Sequence, residues 1–251
     1  MTWSQRWLDC LFLHFPLSAA AVARLVPPRL EVETFGGSAW ISYVLFRLKL
    51  RPAWIPFLPG FSSLLELNVR TYVRHRGQSG IYFLRMFADN QLAIAAARLL
   101  TPLPYEHARM TYDSHSASCQ PIAGAERRLS LQFTPPTSFS ELRSGTLDAW
   151  LLERYRLFIG RPNAAVIAAD AEHPPWRAAT LAPRIIENTL CADLGLTFVM
   201  QPAIAHYSPG VSARFAAFHT VAAPSRHVGQ STALSHRGVT QVRAAGRCGG
   251  R

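Results

Sequence analysis

Glu66, Asn68, Arg70 and Tyr72 stand at alternate positions of the run Glu66-Leu67-Asn68-Val69-Arg70-Thr71-Tyr72-Val73. In an extended chain successive side chains point to opposite faces, so these four share one face while Leu67, Val69, Thr71 and Val73 share the other. One face is dry; the other carries an acid, an amide, a guanidinium and a phenol. At ~3.3 Å per residue the Cα atoms of Glu66 and Arg70 lie roughly 13 Å apart, with Asn68 between them and in reach of either. Buried charge is costly unless paired, so this set either fixes strand order as an ion network or receives a polar ligand. The residue types alone leave both readings open.

Asp89-Asn90, Arg98 and Leu103-Pro104-Tyr105 form a second constellation. Arg98 follows an alanine-rich segment and precedes a proline turn, a placement from which a guanidinium can meet a carboxylate. The plainer reading makes Asp89 a helix cap and Arg98 a surface residue. Glu153-Arg154-Tyr155 repeats the mixture of acid, guanidinium and phenol, and His173 stands beside the rigid Pro174-Pro175-Trp176 turn. His107, His115, His173 and His206 are too scattered to propose a metal site. No glycine-rich phosphate loop, nucleophile elbow or paired zinc spacing occurs, so neither metal nor cofactor is expected.

The elements that must position these residues follow from patterning. Ser18 predicts the cap of a helix to Leu25, ended by Pro27 and Pro28. Residues 29–35 alternate, and Gly36-Gly37 turns the chain into a strand from Ala39 to Leu50 that is apolar on both faces up to Phe46 and therefore central. Prolines and Gly60 mark residues 51–62 as a loop. His75 to Gly80 reads as a turn into a strand from Ile81 to Phe87. Asp89 predicts the cap of a helix from Asn90 to Leu100 with Leu92, Ala95, Ala96 and Leu99 as its inner stripe. Strand patterning returns at Ala108, Met110 and Tyr112 and at Leu129, Leu131 and Phe133. It returns again over Arg154–Ile159 and Ala164–Ala169, around the turn Gly160-Arg161-Pro162-Asn163, and over Leu196–Tyr207. Pro183 predicts a helix to about Cys191 with Ile185, Ile186 and Leu190 facing inward. Many short strands, few helices and no alternating βαβ rhythm predict a mainly β (α+β) fold. Residues 1–217 are expected to form a single, mainly antiparallel domain, a closed or nearly closed barrel. Residues 218–251 are expected to be a basic, disordered tail.

Of the 251 residues 49% are hydrophobic and only 16% charged, against about 25% charged in an average soluble domain. Apolar runs are broken by Pro, Arg or Asp before reaching the ~18 residues of a membrane span. Asp9, His14 and Pro16 interrupt what would be the apolar core of a secretory signal, so residues 1–25 are read as part of the fold. Cys10, Cys119, Cys191 and Cys248 have no paired-ligand spacing and read as buried free thiols of a cytoplasmic protein. The net charge is +11, and residues 209–251 carry Arg214, Arg226, Arg237, Arg243, Arg247 and Arg251 with no acid.

A wider pattern contains these residues: Phe12, His14 and Pro16; Phe35-Gly36-Gly37-Ser38-Ala39-Trp40-Ile41; Glu66 to Val73; Gly80-Ile81-Tyr82-Phe83; Ala97-Arg98; Leu103-Pro104-Tyr105; Ala108 and Met110; Glu153-Arg154-Tyr155; His173 with Pro175-Trp176; and Pro202 with His206-Tyr207-Ser208. It resembles the YqjF-like bacterial family of unknown function over about residues 7 to 215. That family looks related to the acetoacetate decarboxylase-like fold, which implies a cone-shaped antiparallel β-barrel with a few outer helices and a site inside the cone. In the decarboxylases an Asp-Asn pair leads through a helix and an arginine to a proline followed by the Schiff-base lysine. The similar run here is Asp89-Asn90, Arg98 and Pro104, and the next residue is Tyr105. The only lysine, Lys49, lies on another strand between Arg47 and Arg51. A Schiff base needs a desolvated primary amine in the pocket, so lysine-dependent decarboxylation is not expected.

The first functional expectation is a small-molecule pocket for an acidic or carbonyl ligand. Glu66 and Tyr105 are its candidate proton-handling groups, and Asn68, Arg70, Arg98, Glu153 and His173 its candidate ligand-binding groups. Such a pocket serves a binder or a lyase- or isomerase-like enzyme. The second is a non-catalytic protein that binds nucleic acid or another polyanion through its arginines. The aromatics lie in apolar strands rather than among the arginines, which disfavours nucleic acid. A homo-oligomer is left open, and no membrane partner is expected.

Overall fold

In a computed structural model of the chain, residues 3–51, 63–124, 126–160, 165–196 and 200–221 are described. Residues 52–62 of the loop expected over 51–62, residues 161–163 of the turn expected at 160–163, Cys248, and residues 222–251 of the tail expected over 218–251 lie outside them. The chain begins with β1 (Trp3–Leu17), after which Ser18 accepts a hydrogen bond from Ala21 N and caps α1 (Ala19–Ala23). A short β2 (Glu31–Val32) leads to Gly36-Gly37, both at positive φ, and into β3 (Ala39–Arg51). Next come β4 (Ser63–His75) and β5 (Gln78–Ala88), joined by the tight turn Arg76-Gly77. Helix α2 (Gln91–Leu100), β6 (Tyr105–Tyr112), β7 (Ser116–Pro121), β8 (Leu129–Gln132) and β9 (Ser140–Glu141) follow. The remainder is α3 (Leu147–Leu152), β10 (Arg156–Ile159), β11 (Ile167–Glu172), β12 (Arg177–Thr180), β13 (Arg184–Asn188), β14 (Ile204–Phe215) and β15 (His219–Thr220).

The protein is mainly β. One path of pairing runs β13-β8-β7-β6-β5-β10-β11-β14-β1-β3-β4-β2, and an additional β5–β4 pairing joins two of its members. The pairings β4–β5–β10–β11–β14–β1–β3–β4 thus return to their start. All are antiparallel except β10 with β5, which, like β5 with β6, is parallel. The central strands are covered on both faces. Leu11, Leu13, Phe15, Tyr43, Leu45, Leu67 and Val69 pack into one apolar cluster, and Phe12, Val44, Phe46, Leu64, Tyr72 and Trp176 into a second. Each such side chain contributes about 1.5–3 kcal/mol on burial, so double-faced burial explains why β3 reads apolar on both faces as far as Phe46.

Several expectations are corrected. Asp89 accepts from Leu65 N, and Asn90 caps α2 by accepting from Ala93 N. The expected inner stripe of α2 faces outward: Leu92 and Leu99 are 75% and 86% exposed, while Ala93 and Ile94 are buried. The helix expected after Pro183 is the strand β13, in which Ile185 is buried and Ile186 exposed. A nine-residue window with three β-branched residues, Ile185, Ile186 and Thr189, does not distinguish the two periods. Gly80 lies within β5 rather than in a turn, where a Cβ would meet Phe158 Cε2 at 2.7 Å. The expected strand 29–35 shrinks to β2, and the last long strand starts at Ile204 and extends to Phe215. Pairing of β15 with β11 carries the described strands as far as Thr220. Strands β1, β7 and β12 and helix α3 were not anticipated.

Candidate functional site

Strand β4 lies between β3 and β5, and this register furnishes the neighbours of its polar face. Glu66 stands opposite Phe46 and Ala88, Asn68 opposite Val44 and Met86, and Arg70 opposite Ser42 and Phe83. A bulge in β5 shifts the register between Val69 and Arg70. Phe83 and Met86 are three residues apart and would face opposite ways on a regular strand; the bulge lets both line one cavity. A second bulge, at Asp9 with φ 53°, does the same for Trp7 and Phe12. Asp9 is held there by Tyr112 on its carbonyl at 2.6 Å, Tyr207 on its carboxylate at 3.1 Å, and Arg47 at 3.3 Å. The resulting cavity measures about 90 Å³, room for a few waters or a small organic molecule.

Glu66 is 4% exposed and accepts a hydrogen bond from the Tyr105 hydroxyl at 3.0 Å. Burial raises its pKa from 4.5 to about 7, against the opposing pull of hydrogen bonds from Tyr105 and Asn68. Burial, with Glu66 alongside, holds the Tyr105 hydroxyl well above its ordinary value of 10. Arg70 donates from Nη2 to Leu151 O at 3.2 Å and lies 5.8 Å over the Phe12 ring. Its Nε and the Oδ1 of Asn68 are buried without a hydrogen-bond partner among the described residues.

Arg154 also lines the cavity. It pairs with Glu33 at 2.9 Å and sits 4.4 Å over the Trp150 ring, while its Nη2 has no hydrogen-bond partner among the described residues. His173 reaches the same cavity between Tyr155, stacked at 4.5 Å, and Trp176, edge-on at 5.2 Å. Its Nδ1 is 2.8 Å from Pro174 O. A carbonyl only accepts, so Nδ1 carries hydrogen. Burial lowers the pKa of the ring, and in the neutral form Nε2 presents a lone pair.

The structure therefore brings Glu66, Asn68, Arg70, Tyr105 and His173 to one cavity. Two expected ligand groups are not among its lining residues. Arg98 is exposed and donates from Nε and Nη2 to Tyr105 O at 3.1 and 2.6 Å, so it supports the segment that presents Tyr105. Glu153 accepts from Trp176 N at 2.9 Å and from the Tyr155 hydroxyl, fixing the wall from behind. Lys49 is exposed on β3. Sequence reasoning missed the aromatic wall of Trp7, Phe12, Phe46 and Phe215, because bulges override the alternation that would have predicted it. Among the described residues no group of His, Cys, Asp and Glu is arranged to hold a metal ion, and no helix is long and apolar enough to cross a membrane.

An enclosed carboxyl with a pKa near neutrality, a guanidinium with an unused donor and a fixed imidazole can bind an anion and exchange a proton with it. Solved structures with similar folds include the enduracididine biosynthesis enzyme MppR complexed with pyruvate (TM-score 0.61, 13% identity, 88% of this chain and 90% of the other). Another is acetoacetate decarboxylase from Legionella pneumophila (TM-score 0.57, 15% identity, 87% of each chain). An acetoacetate decarboxylase-like enzyme from Sphingomonas wittichii RW1 gives a TM-score of 0.59 at 14% identity, over 88% of this chain and 92% of the other. The uncharacterized protein YqjF of Bacillus subtilis strain 168 is 34% identical over 209 residues, which cover 81% of this chain and 86% of YqjF. With residues 4–212 also matching the model of an uncharacterized conserved protein family, DUF2071, the chain belongs to that family, alongside YqjF and with acetoacetate decarboxylase-like enzymes as its structural neighbours.

Proposed function

We propose that the closed circuit of pairings is a cone-shaped barrel, and that its cavity binds a small carboxylate- or carbonyl-bearing molecule in a cytoplasmic protein. The observation that carries this reading is the unpartnered Nε of buried Arg70 in the cavity that holds Glu66 and Tyr105. A buried donor left without a partner costs about 1–3 kcal/mol, and an anionic ligand removes that cost. Arg70 and Asn68 hold the acidic end. Glu66 takes or gives a proton at neutral pH, with Tyr105 stabilising its ionised form and His173 placed as a second acceptor. No lysine lines the cavity, so any chemistry at a carbonyl proceeds without a Schiff base. That MppR has been captured with pyruvate in a similar fold makes a short 2-oxo acid the first probe.

Calorimetric titration of pyruvate and acetoacetate into the intact protein tests this. Binding of at least one is expected, weakened tenfold or more, about 1.4 kcal/mol, in a folded Arg70→Met variant. Borohydride added with either probe is expected to trap no lysine adduct. Equal affinity in wild type and variant, or an adduct on Lys49, overturns the reading.

A further inference from the structure

Apart from the cavity lining, a chain of polar side chains crosses the interior. Asp148 Oδ1 lies at an ion-pair distance of 3.1 Å from His206 Nε2, which makes no aligned hydrogen bond among the described residues, and His206 Nδ1 lies 3.1 Å from His14 Nε2. His14 Nδ1 is 2.6 Å from Ser42 Oγ, which is 2.6 Å from the Tyr72 hydroxyl. Tyr72 in turn donates to the Leu151 carbonyl at 2.9 Å. Strands β14, β1, β3 and β4 and helix α3 each contribute, and only Asp148, 38% exposed, meets solvent. Leu151 is in the last turn of α3, where carbonyls lack partners within the helix. Its oxygen is shared between Tyr72 and Arg70.

The direction of these bonds can be worked out from the carbonyl end. A carbonyl only accepts, so the Tyr72 hydrogen is committed to Leu151 and its oxygen accepts from Ser42. Ser42 then accepts from His14 Nδ1–H, and His14 Nε2, now a lone pair, accepts from His206 Nδ1–H. A neutral His206 would point the Nε2 lone pair at the Asp148 carboxylate, acceptor against acceptor. One further proton is required, on Nε2 or on the carboxyl. The opposite direction requires none: His206 turns an Nε2–H toward the Asp148 carboxylate, within ion-pair distance though not aligned as a hydrogen bond, while His14 donates to His206, Ser42 to His14 and Tyr72 to Ser42. In that state no hydrogen stands between the Tyr72 and Leu151 oxygens, their contact opens, and Arg70 alone holds the carbonyl.

We propose that the Asp148–His206 pair binds a single proton that sets the direction of this chain, so that Tyr72 either shares the Leu151 carbonyl with Arg70 or releases it. His14 on β1 faces the pair directly; further along the chain Arg70 on β4 acts on His14, and Tyr72 on β4 has Arg154 5.2 Å over its ring. Burial lowers both histidines; His206 and Arg70 lower His14 further, while Asp148 raises His206. The proton is therefore held on the acid side and lost as pH rises. The direction of the chain follows from its own bonds; only its effect on ligand capture rests on the proposed cavity site.

The intact protein, labelled with 15N in its histidine rings, provides the test. The hydrogen of His14 is expected on Nδ1 at low pH, moving to Nε2 as pH rises through a transition shared with His206. In Asp148→Asn the carboxamide serves either direction without gaining or losing a proton. The transition should then fall by about one pH unit or more, or vanish. Ser42→Ala interrupts the chain: His206 should still titrate while the Tyr72 hydroxyl signal no longer follows. An unchanged His14 tautomer across the wild-type transition overturns the proposal, as does a folded Asp148→Asn titrating like wild type. If Asp148→Asn fails to fold, the wild-type tautomers and Ser42→Ala decide. Pyruvate affinity indifferent to an intact tautomer exchange would count against the cavity reading alone.

Discussion

Glu33 and Glu66 are glutamates buried to a similar degree, 8% and 4% exposed, and they differ in what faces them. Glu33 meets Arg74 at 2.8 Å, Arg154 at 2.9 Å and the Ser79 hydroxyl at 2.6 Å. Glu66 has a phenol and an amide but no ion-pair partner among the described residues, and its pKa rises to about 7. Between them stands Arg154, which binds Glu33 with Nη1 while also lining the cavity. The lesson is that burial alone does not identify a functional acid. A paired carboxylate holds the fold, and one deprived of a cation is available for chemistry.

The largest separation of the two should come from removing their charges. Glu33→Gln leaves the Arg154 guanidinium buried without its counterion and should cost about 3–5 kcal/mol by urea denaturation at pH 7. Arg74, 49% exposed, adds little to that loss. A cost at Glu66→Gln equal to that at Glu33→Gln would erase the distinction.

The second difference is in pH dependence. Glu66 binds its proton more tightly folded than unfolded, so its contribution to stability is greatest below about 4.5 and is lost as pH rises to about 7. The loss is on the order of 3 kcal/mol. Wild type should decline relative to Glu66→Gln across that window, and parallel stability curves would contradict the assignment.

The smallest expected effect sharpens the account of Glu66. Tyr105→Phe removes the hydroxyl that favours the ionised carboxylate, so the Glu66 titration should move upward, with a stability change of about 0.5–1.5 kcal/mol. A downward move would mean that Tyr105 does not act on Glu66 as a donor.

The polar face of β4 was legible because alternation in a covered strand depends only on local sequence, and Glu66, Asn68 and Arg70 share a cavity as that spacing requires. Tyr105 was legible through family resemblance rather than pattern. Arg98 and Glu153 lie outside the cavity lining, and their partners, the Tyr105 carbonyl and the Trp176 amide, are backbone groups that composition does not reveal. His14 and His206 meet through the pairing of β1 with β14, across nearly the whole chain. Leu92 and Leu99 show the converse error: helical spacing identifies a stripe but not whether the fold covers it.

The central claim is that Glu66 is an acid poised near neutrality, without an ion-pair partner among the described residues, in the cavity that Arg70 also lines. The most direct measurement is a 13C titration of the side-chain carboxyls, with the Glu66 resonance identified by its loss in Glu66→Gln. A midpoint near 7 is predicted; a midpoint in the ordinary glutamate range, about 4.3, would contradict it.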